Sequence, residues 1–283
     1  QLCGSSSVVQ LAANAPSGVS VGFWTVISGV ASITDINDPN ATVTGIPVGE
    51  TILSWTLDNG PCGTSSDQVS IQIFDDQQAD ANAGADQDLC LPTNTATLSG
   101  SAYSFPSTGV WTLVSGSGDI TDATLANTTV NNLAIGENVF QWTVDNGPCG
   151  GVTTDLVSIS IYDNAAASAD AGPDQELCTP VSSATLSANT PVGVAVGTWT
   201  LLQGTGSFAD ANDPNTTITG ISVGETRCQW TINNGPCGNS SDVMSIFLFD
   251  ATNPIANAGP DQELCTPTTS AVLSGSTIIF PAQ

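Results

Sequence analysis

The hydrophobic pattern of this chain is typical of short β-strands. Two stretches, 138–144 and 156–162, alternate between apolar and polar residues with a period of two. Their apolar residues, which share one face of each stretch, are Phe140, Trp142 and Val144, and Val157, Ile159 and Ile161. Between them lies the turn-forming sequence Asp-Asn-Gly-Pro-Cys-Gly. The pattern predicts two paired strands joined by a turn.

The same region predicts further short strands upstream, at 96–99, 110–113 and 128–130. No segment has a helical periodicity of useful length. Seven or so short strands in about 88 residues, with a tryptophan on a central strand, are typical of an immunoglobulin-like sandwich.

The chain repeats this unit. The sequence Ala-Asn-Ala-Gly-Ala-Asp-Gln-Asp-Leu-Cys recurs with few changes, and Gln-Leu-Cys at the start is the end of another copy. The copies end at Cys3, Cys90, Cys178 and Cys265. In each repeat the first Trp follows this Cys by 21 residues, and the second Trp follows by 31 more. These tryptophans, expected in the core, are Trp24 and Trp55, Trp111 and Trp142, and Trp199 and Trp230.

This spacing predicts an all-β chain of tandem Ig-like β-sandwich domains stacked head to tail. The expected segments are a repeat without its strand A at 1–78, repeats at 79–166 and 167–254, and the start of a further repeat at 255–283. The chain begins and ends inside a repeat, as expected of a window of a longer protein. The link between repeats keeps a constant length of 10 residues, as from Phe74 to Gly84, which favours a fixed junction over random drift since duplication.

Several motifs resemble PKD-type Ig-like repeats: Ala-Asn-Ala-Gly-Pro-Asp-Gln, Leu-Ser-Gly-Ser, and Phe-Gln-Trp-Thr-Val-Asp-Asn-Gly. With the paired cysteines, the chain resembles the repeats of very large secreted surface adhesins of Bacteroidota, including gliding-motility adhesins. Ala85 departs from the pattern, since the other copies have Pro173 and Pro260. The resemblance implies an extended stalk or filament exported to the cell surface, without catalytic residues.

Composition excludes much chemistry. The chain of 283 residues has 26 acidic residues, one basic residue (Arg227) and no histidine, which gives a formal charge of −25. Imidazole bases, lysine Schiff bases and His-ligated metals are therefore impossible. Nucleic acid is excluded as a partner because phosphate binding needs Lys and Arg. No apolar run approaches the roughly 20 residues of a membrane span. The chain is not expected to be an enzyme.

The cysteines predict disulfides in an oxidising, extracellular setting. Within one repeat, Cys90 would pair with Cys149. In an Ig sandwich, however, these two positions lie at opposite ends, separated by some 20–30 Å, whereas a disulfide needs Cα atoms within about 7 Å. We therefore prefer bonds between neighbouring repeats over bonds within a repeat. The preferred bonds are Cys3 to Cys149 and Cys90 to Cys237.

The remaining cysteines fall into two classes. Cys62, Cys178 and Cys265 are expected to pair with repeats outside this window. Cys228 takes the place of Phe140 on an inward-facing strand position, so a buried free thiol is expected.

Acidic residues gather where repeats meet, and two interpretations stay open. One is a Ca²⁺ site, since hard cations prefer oxygen ligands. The other is a solvated acidic surface that keeps a long fibre soluble, with no cofactor, and it is favoured. The candidate ligands are Asp75, Asp76, Asp86, Asp88, Asp163, Asp174 and Glu176.

Function follows from these features. We expect the structural shaft of a secreted cell-surface adhesin or extracellular filament, whose partners are neighbouring repeats of the same long chain. Surface glycans or other cells would be bound by a tip outside this window. The alternatives are accessory carbohydrate- or surface-binding modules of a secreted protein, and a polymer of subunits that exchange strands. In the module, Trp111 and Trp142 would stack on a sugar, but a buried core pair is favoured.

Overall fold

A computed structural model describes residues 1–4, 8–163, 165, 168–252 and 256–276. The chain divides into two compact units. The first comprises Gln1–Leu89 and Thr93–Ile161, and the second comprises Cys90–Pro92 and Tyr162–Gln283. Apart from three single 3₁₀ turns, the described residues form strands, turns and irregular loops, and no helix among them is long and apolar enough to cross a membrane.

In the described residues, each of the three repeats contributes seven strands. The first has β1 (Leu2–Cys3), β2 (Val9–Gln10), β3 (Val21–Ser28), β4 (Ser32–Ile33), β5 (Thr42–Thr44), β6 (Gly49–Asp58) and β7 (Thr64–Phe74). The second has β8 (Gln87–Cys90), β9 (Ala96–Ser99), β10 (Thr108–Ser115), β11 (Asp119–Ile120), β12 (Asn127–Asn131), β13 (Gly136–Asp145) and β14 (Val152–Tyr162). The third has β15 (Gln175–Cys178), β16 (Ser183–Thr185), β17 (Val196–Gln203), β18 (Ser207–Phe208), β19 (Thr217–Thr219), β20 (Gly224–Asn233) and β21 (Asn239–Phe249).

The strands of each repeat form a four-stranded and a three-stranded sheet. The larger sheets have the orders β1-β7-β6-β3, β10-β13-β14-β8 and β15-β21-β20-β17. The smaller sheets have the orders β2-β5-β4, β11-β12-β9 and β16-β19-β18. In the first and third repeats the first strand runs parallel to the last, and the pairs that follow are antiparallel. This is the two-sheet arrangement of an Ig-like sandwich, and it confirms the predicted fold class.

The core consists of the residues that the period-two pattern placed inward. Phe140 and Trp142 are fully buried on β13, and Ile159 and Ile161 are fully buried on β14. The two tryptophans of each repeat lie opposite each other on adjacent strands, with ring centroids 4.9–5.1 Å apart.

A glycine two residues before the first Trp makes room for this packing. A Cβ on Gly109 would lie 2.5 Å from the Trp142 ring, and equivalent clashes of 2.2 and 2.1 Å would occur at Gly22 and Gly197. The recurring Gly-x-Trp sequence therefore has a steric cause.

The first repeat was expected to lack its strand A. Among the described residues it begins with the two-residue strand Leu2–Cys3, which pairs in parallel with Ile73 and Phe74. This is the position that β15 takes beside β21 in the third repeat.

Candidate functional site: the repeat junctions

The Asn-Gly-Pro-Cys-Gly turns and the residues they contact are the sites where the chain joins one repeat to the next. In the second repeat, Gly147–Cys149 forms a single 3₁₀ turn after β13. The Asp145 carboxylate accepts the Gly147 N–H at 2.8 Å, and the Asn146 carbonyl accepts the Cys149 N–H at 3.1 Å. The sequence thus builds a rigid turn whose cysteine has a fixed position.

The first junction lies within the first unit. A disulfide joins Cys3, at the end of β1, to Cys149, with a Cα–Cα distance of 5.2 Å. Asn146 Nδ2 donates a hydrogen bond to the Asp75 carbonyl at 2.8 Å, and its Oδ1 accepts one from Ser107 Oγ at 2.6 Å. The turn of the second repeat is therefore held to the end of the first by a covalent bond and a hydrogen bond.

Phe74 lies directly beneath this turn. It is buried, and a Cβ on Gly147 would lie 2.8 Å from its ring. Gly147 also has a φ of +51°, a conformation that residues with a Cβ rarely adopt. Glycine is therefore required here both for the turn and for the approach of the aromatic ring.

The second unit contains a junction of the same design. Cys90 and Cys237 form a disulfide with a Cα–Cα distance of 5.3 Å. Asn234 Nδ2 donates to the Asp163 carbonyl at 2.8 Å, and Gly235 lies over the Tyr162 ring. Neither the aromatic residue nor the Asn amide was predicted from the sequence. The signal was present, because an aromatic residue precedes Asp at Phe74, Tyr162 and Phe249 in all three repeats.

The other cysteines make no disulfide in the described part of the chain. Cys62, Cys178 and Cys265 are exposed, whereas Cys228 is fully buried. Desolvation by burial raises the pKa of the Cys228 thiol to about 11, so it stays protonated and unreactive at neutral pH.

The acidic residues proposed as calcium ligands do not form a cluster. Among the described residues, no group of three or more His, Cys, Asp or Glu side chains is placed to hold a metal ion. Instead, single carboxylates accept backbone N–H groups. Asp75, Asp86, Asp163 and Asp174 accept from Gln77, Ser158, Ala165 and Ser245 in that order, at 2.7–2.9 Å. Asp76 lies against Gly4, and Asp88 and Glu176 are exposed.

Two other aspartates show the same local chemistry. Hydrogen bonds from the Thr124 hydroxyl and N–H lower the pKa of Asp122, and those from Thr252 lower the pKa of Asp250. Both carboxylates are solvent-exposed turn residues, so the shifts reflect local turn geometry rather than a ligand site.

The tryptophans offer no exposed stacking surface. Trp111 and Trp142 are 2% and 0% exposed, and their Nε1 atoms donate to the carbonyls of Ala126 and Ser101. They form the core pair, as favoured from the sequence, and leave no face for a sugar ring.

These features define a class: an all-β chain of tandem Ig-like β-sandwich domains with disulfides at the repeat junctions. Residues 83–161 match the family model of the K319L-like PKD domain. The chain is 29% identical over 240 residues to the dyslexia-associated protein KIAA0319 homolog of Mus musculus, covering 78% of this chain and 22% of that protein. It is 26% identical over 272 residues to the dyslexia-associated protein KIAA0319 of Homo sapiens, covering 89% and 25%.

Solved structures also match. The PKD domain from the KIAA 1837 protein is 28% identical, covers 31% of this chain and 91% of its own, and has a TM-score of 0.28. The I-band fragment I67-I69 from titin is 13% identical, covers 87% and 94%, and has a TM-score of 0.39.

The chain spans about a quarter or less of the length of these curated relatives. Ig/PKD-like repeats with disulfides are consistent with an extracellular, cell-surface protein of the adhesion type.

Proposed function

We propose that this chain is part of the structural shaft of a secreted cell-surface adhesin or extracellular filament. The observation that carries the proposal is the pair of disulfides, which have sequence separations of 146 and 147 residues. Each joins the cysteine that ends the first strand of one repeat, β1 or β8, to the Asn-Gly-Pro-Cys-Gly turn of the next repeat. A chain that only needed stable domains would gain as much from bonds within each repeat, whereas bonds between repeats hold the junctions under load.

The two bonds also interleave along the sequence, because Cys90 lies inside the loop closed by Cys3 and Cys149. In a fully unfolded chain, force applied at the two ends would follow the shortest covalent path. That path crosses from Cys3 to Cys149 through the first disulfide, runs back along the chain to Cys90, and crosses to Cys237 through the second disulfide. At about 3.5 Å per residue it measures about 400 Å, whereas the unbridged chain would extend to about 1,000 Å.

Single-molecule stretching of the oxidised chain tests the proposal. We expect the total extension to stay near about 400 Å and to rise to about 1,000 Å after reduction. The Cys62→Ser variant is the matched control, because Cys62 forms no disulfide among the described residues. Full extension without a reductant would mean that the junctions are not stapled, and would contradict the shaft.

The rest of the proposal concerns partners and setting. The shaft is non-enzymatic and extracellular, its contacts are neighbouring repeats of the same long chain, and a tip elsewhere in the protein binds glycans or cells. The sequence resemblance alone supports a role in gliding motility. The carbohydrate-module alternative lacks support from the geometry, because both tryptophans of each repeat are buried.

A further inference from the structure

An edge strand of each larger sheet carries a β-bulge. In β10 the pairing with β13 shifts between Leu113 and Ser115, so Val114 has no residue opposite it. The same shift in β3 and β17 leaves Ile27 and Leu202 without a residue opposite them. Each of these bulged residues lies three positions after the first Trp of its repeat. The bulge is therefore a built feature of the repeat, of the kind that redirects a side chain at the edge of a sheet.

The bulge exposes aliphatic side chains to solvent. Ile27, Val114 and Leu202 are 54%, 53% and 50% exposed, and Val26 and Leu113, which precede the first two, are 41% and 42% exposed. Single exposed aliphatic residues are common on protein surfaces, but here the same bulge exposes one in every repeat. About half of each bulged side chain is thus open to a partner. We call each pair a bulge patch: Val26–Ile27, Leu113–Val114 and Leu201–Leu202.

A carboxylate at the start of the adjacent strand is held away from each patch. In the second repeat, Glu137 Oε1 accepts a hydrogen bond from Ser158 Oγ at 2.8 Å. Ser158 lies on β14, which is on the far side of β13 from the edge strand β10. The residue opposite Ser115, directly after the patch, is the aliphatic Val139. The equivalent carboxylate–hydroxyl pairs in the other repeats are Glu50 with Ser70 and Glu225 with Ser245.

The single basic residue of the chain lies beside the third bulge patch. Arg227, on β20, is opposite Gln203, the residue that follows Leu202. Its side chain is exposed and makes no ion pair within the described part of the chain. A free cation beside an apolar patch is complementary to an acidic partner, and this chain has 26 acidic residues.

We propose that the bulge patches bind the bulge patches of a second copy of this chain. A second copy presents the same patches at the same intervals, 87 residues from Ile27 to Val114 and 88 from Val114 to Leu202. It also supplies carboxylates for Arg227. Identical patches can pair with each other about a two-fold axis, the commonest symmetry of protein oligomers. This association goes beyond the proposed shaft and does not depend on it.

Repetition is what makes a second copy the fitting partner. Stable interfaces bury about 1,200–2,000 Å² in total, far more than one patch of two partly exposed side chains offers. A partner with one site would therefore bind weakly. A partner with the same repeats can engage more than one patch, and each contact after the first forms at a high effective concentration. Because bulges discourage backbone pairing at a sheet edge, the contacts are between side chains.

Sedimentation equilibrium of the oxidised 283-residue chain tests the proposal. The exposed thiols of Cys62, Cys178 and Cys265 are alkylated first, so that disulfides between copies cannot contribute. We expect the mass to rise reversibly with protein concentration from 28.6 kDa towards twice that value. Because each copy carries a net charge of −25, repulsion opposes the association, which should therefore strengthen as salt screens it.

A variant without the bulged aliphatic residues separates the patches from the rest of the surface. The association constant should fall at least about tenfold, because apolar area is lost from every patch. The melting temperature should not change, since threonine suits an exposed strand position. This patch variant combines Ile27→Thr, Val114→Thr and Leu202→Thr. The matched control places threonine at three exposed positions elsewhere in the same repeats, and should associate like the original chain: Asn40→Thr, Asn127→Thr and Asn215→Thr.

The charge beside the third patch is tested separately. Arg227→Gln should weaken the association by about two- to fivefold, the range of an exposed ion pair. Arg227→Lys keeps the positive charge and should retain most of the association. An equal effect of both substitutions would mean that Arg227 contributes no ion pair to the contact.

Three results would overturn the proposal. They are a mass of one copy at every protein and salt concentration, a patch variant that associates as strongly as the original chain, and a control that weakens the association as much as the patch variant. Retention of a single-copy chain on an insoluble neutral polysaccharide, lost in the patch variant, would instead assign the patches to a carbohydrate. None of these results bears on the bonds Cys3–Cys149 and Cys90–Cys237, so the shaft would stand or fall separately.

Discussion

The first and second repeats have nearly the same core and different edges. Their tryptophan pairs have centroid distances of 5.1 and 4.9 Å and interplanar angles of 45° and 38°. Yet Val69 is 36% exposed where Val157 is buried, and in the second repeat residues 81–86 lie against the last strand, where the Ala83 N–H donates to the Asp155 carboxylate. The comparison separates the tryptophan core, which residues 1–78 and the second repeat share, from the strand edge that residues 81–86 cover.

The largest expected effect comes from the tryptophan that borders this edge. Trp142→Ala should destabilise the second repeat by about 3–5 kcal/mol, through lost burial and the cavity left behind. Trp55→Ala should cost the first repeat less, because Trp55 already lines an open groove. Urea unfolding with hydrogen exchange resolved by repeat measures both. Equal losses would mean that the groove does not weaken the packing of Trp55.

The second-largest effect is expected from removing the Cys3–Cys149 disulfide. The double variant Cys3→Ser, Cys149→Ser should lower the free energy of unfolding of the first unit by about 2–4 kcal/mol, because the unfolded chain regains the freedom of a loop of 146 residues. Thermal unfolding under non-reducing conditions measures this. Cys62→Ser is the control and should leave the melting temperature unchanged; an equal loss there would contradict the assignment.

The edge itself can be tested at one carboxylate. Asp155→Ala should destabilise the second repeat by about 1–3 kcal/mol, since the buried Ala83 N–H loses its acceptor. Asp67→Ala should have little effect on the first repeat, where no backbone N–H among the described residues bonds to that carboxylate. Protection of the Ala83 amide from hydrogen exchange is the measurement. Similar losses in both repeats would remove the distinction between the edges.

The third repeat extends the comparison to the pH dependence of stability. Its buried thiol, Cys228, replaces the buried Phe140, and its pKa is raised from 9.0 to about 11. The folded state therefore holds this proton more tightly than the unfolded state. Stability from this group is complete below about pH 9 and is lost as the pH rises towards about 11.

Cys228→Leu should remove this loss in the third repeat, while the second repeat shows none from this position. Unfolding between pH 8 and about 11 measures it against the unmodified chain. A loss of the same size in the variant would assign the effect to another group.

The smallest expected effect is that of calcium. Titration should leave the melting temperatures of both repeats unchanged, because the junction carboxylates accept backbone N–H groups singly and no metal-binding group occurs among the described residues. The Asp86→Asn variant serves as the control. A calcium-dependent rise in melting temperature that Asp86→Asn abolishes would restore the metal site.

Much of the fold could be read from the sequence because its causes are local. The period-two alternation predicted that Phe140 and Trp142 face inward, as they do. The strand lengths predicted that Cys90 lies too far from Cys149 to form a disulfide with it, and Cys90 is bonded to Cys237 instead. The contacts of residues 81–86 could not be predicted, because the hydrogen bond from Ala83 to Asp155 joins residues 72 apart through the strand register alone. The Phe74 ring under Gly147 was missed for the same reason: it depends on how two repeats meet, which no single strand pattern encodes.

The interleaved disulfides have a consequence for damage. A single cut of the backbone anywhere from residue 3 to residue 149 leaves both pieces joined through Cys3 and Cys149. A single cut from residue 90 to residue 237 leaves them joined through Cys90 and Cys237. Between Cys3 and Cys237, therefore, no one peptide bond is indispensable for holding the chain in one piece. The two disulfides make the covalent connections redundant, so cutting the chain into two pieces between Cys3 and Cys237 requires at least two broken bonds.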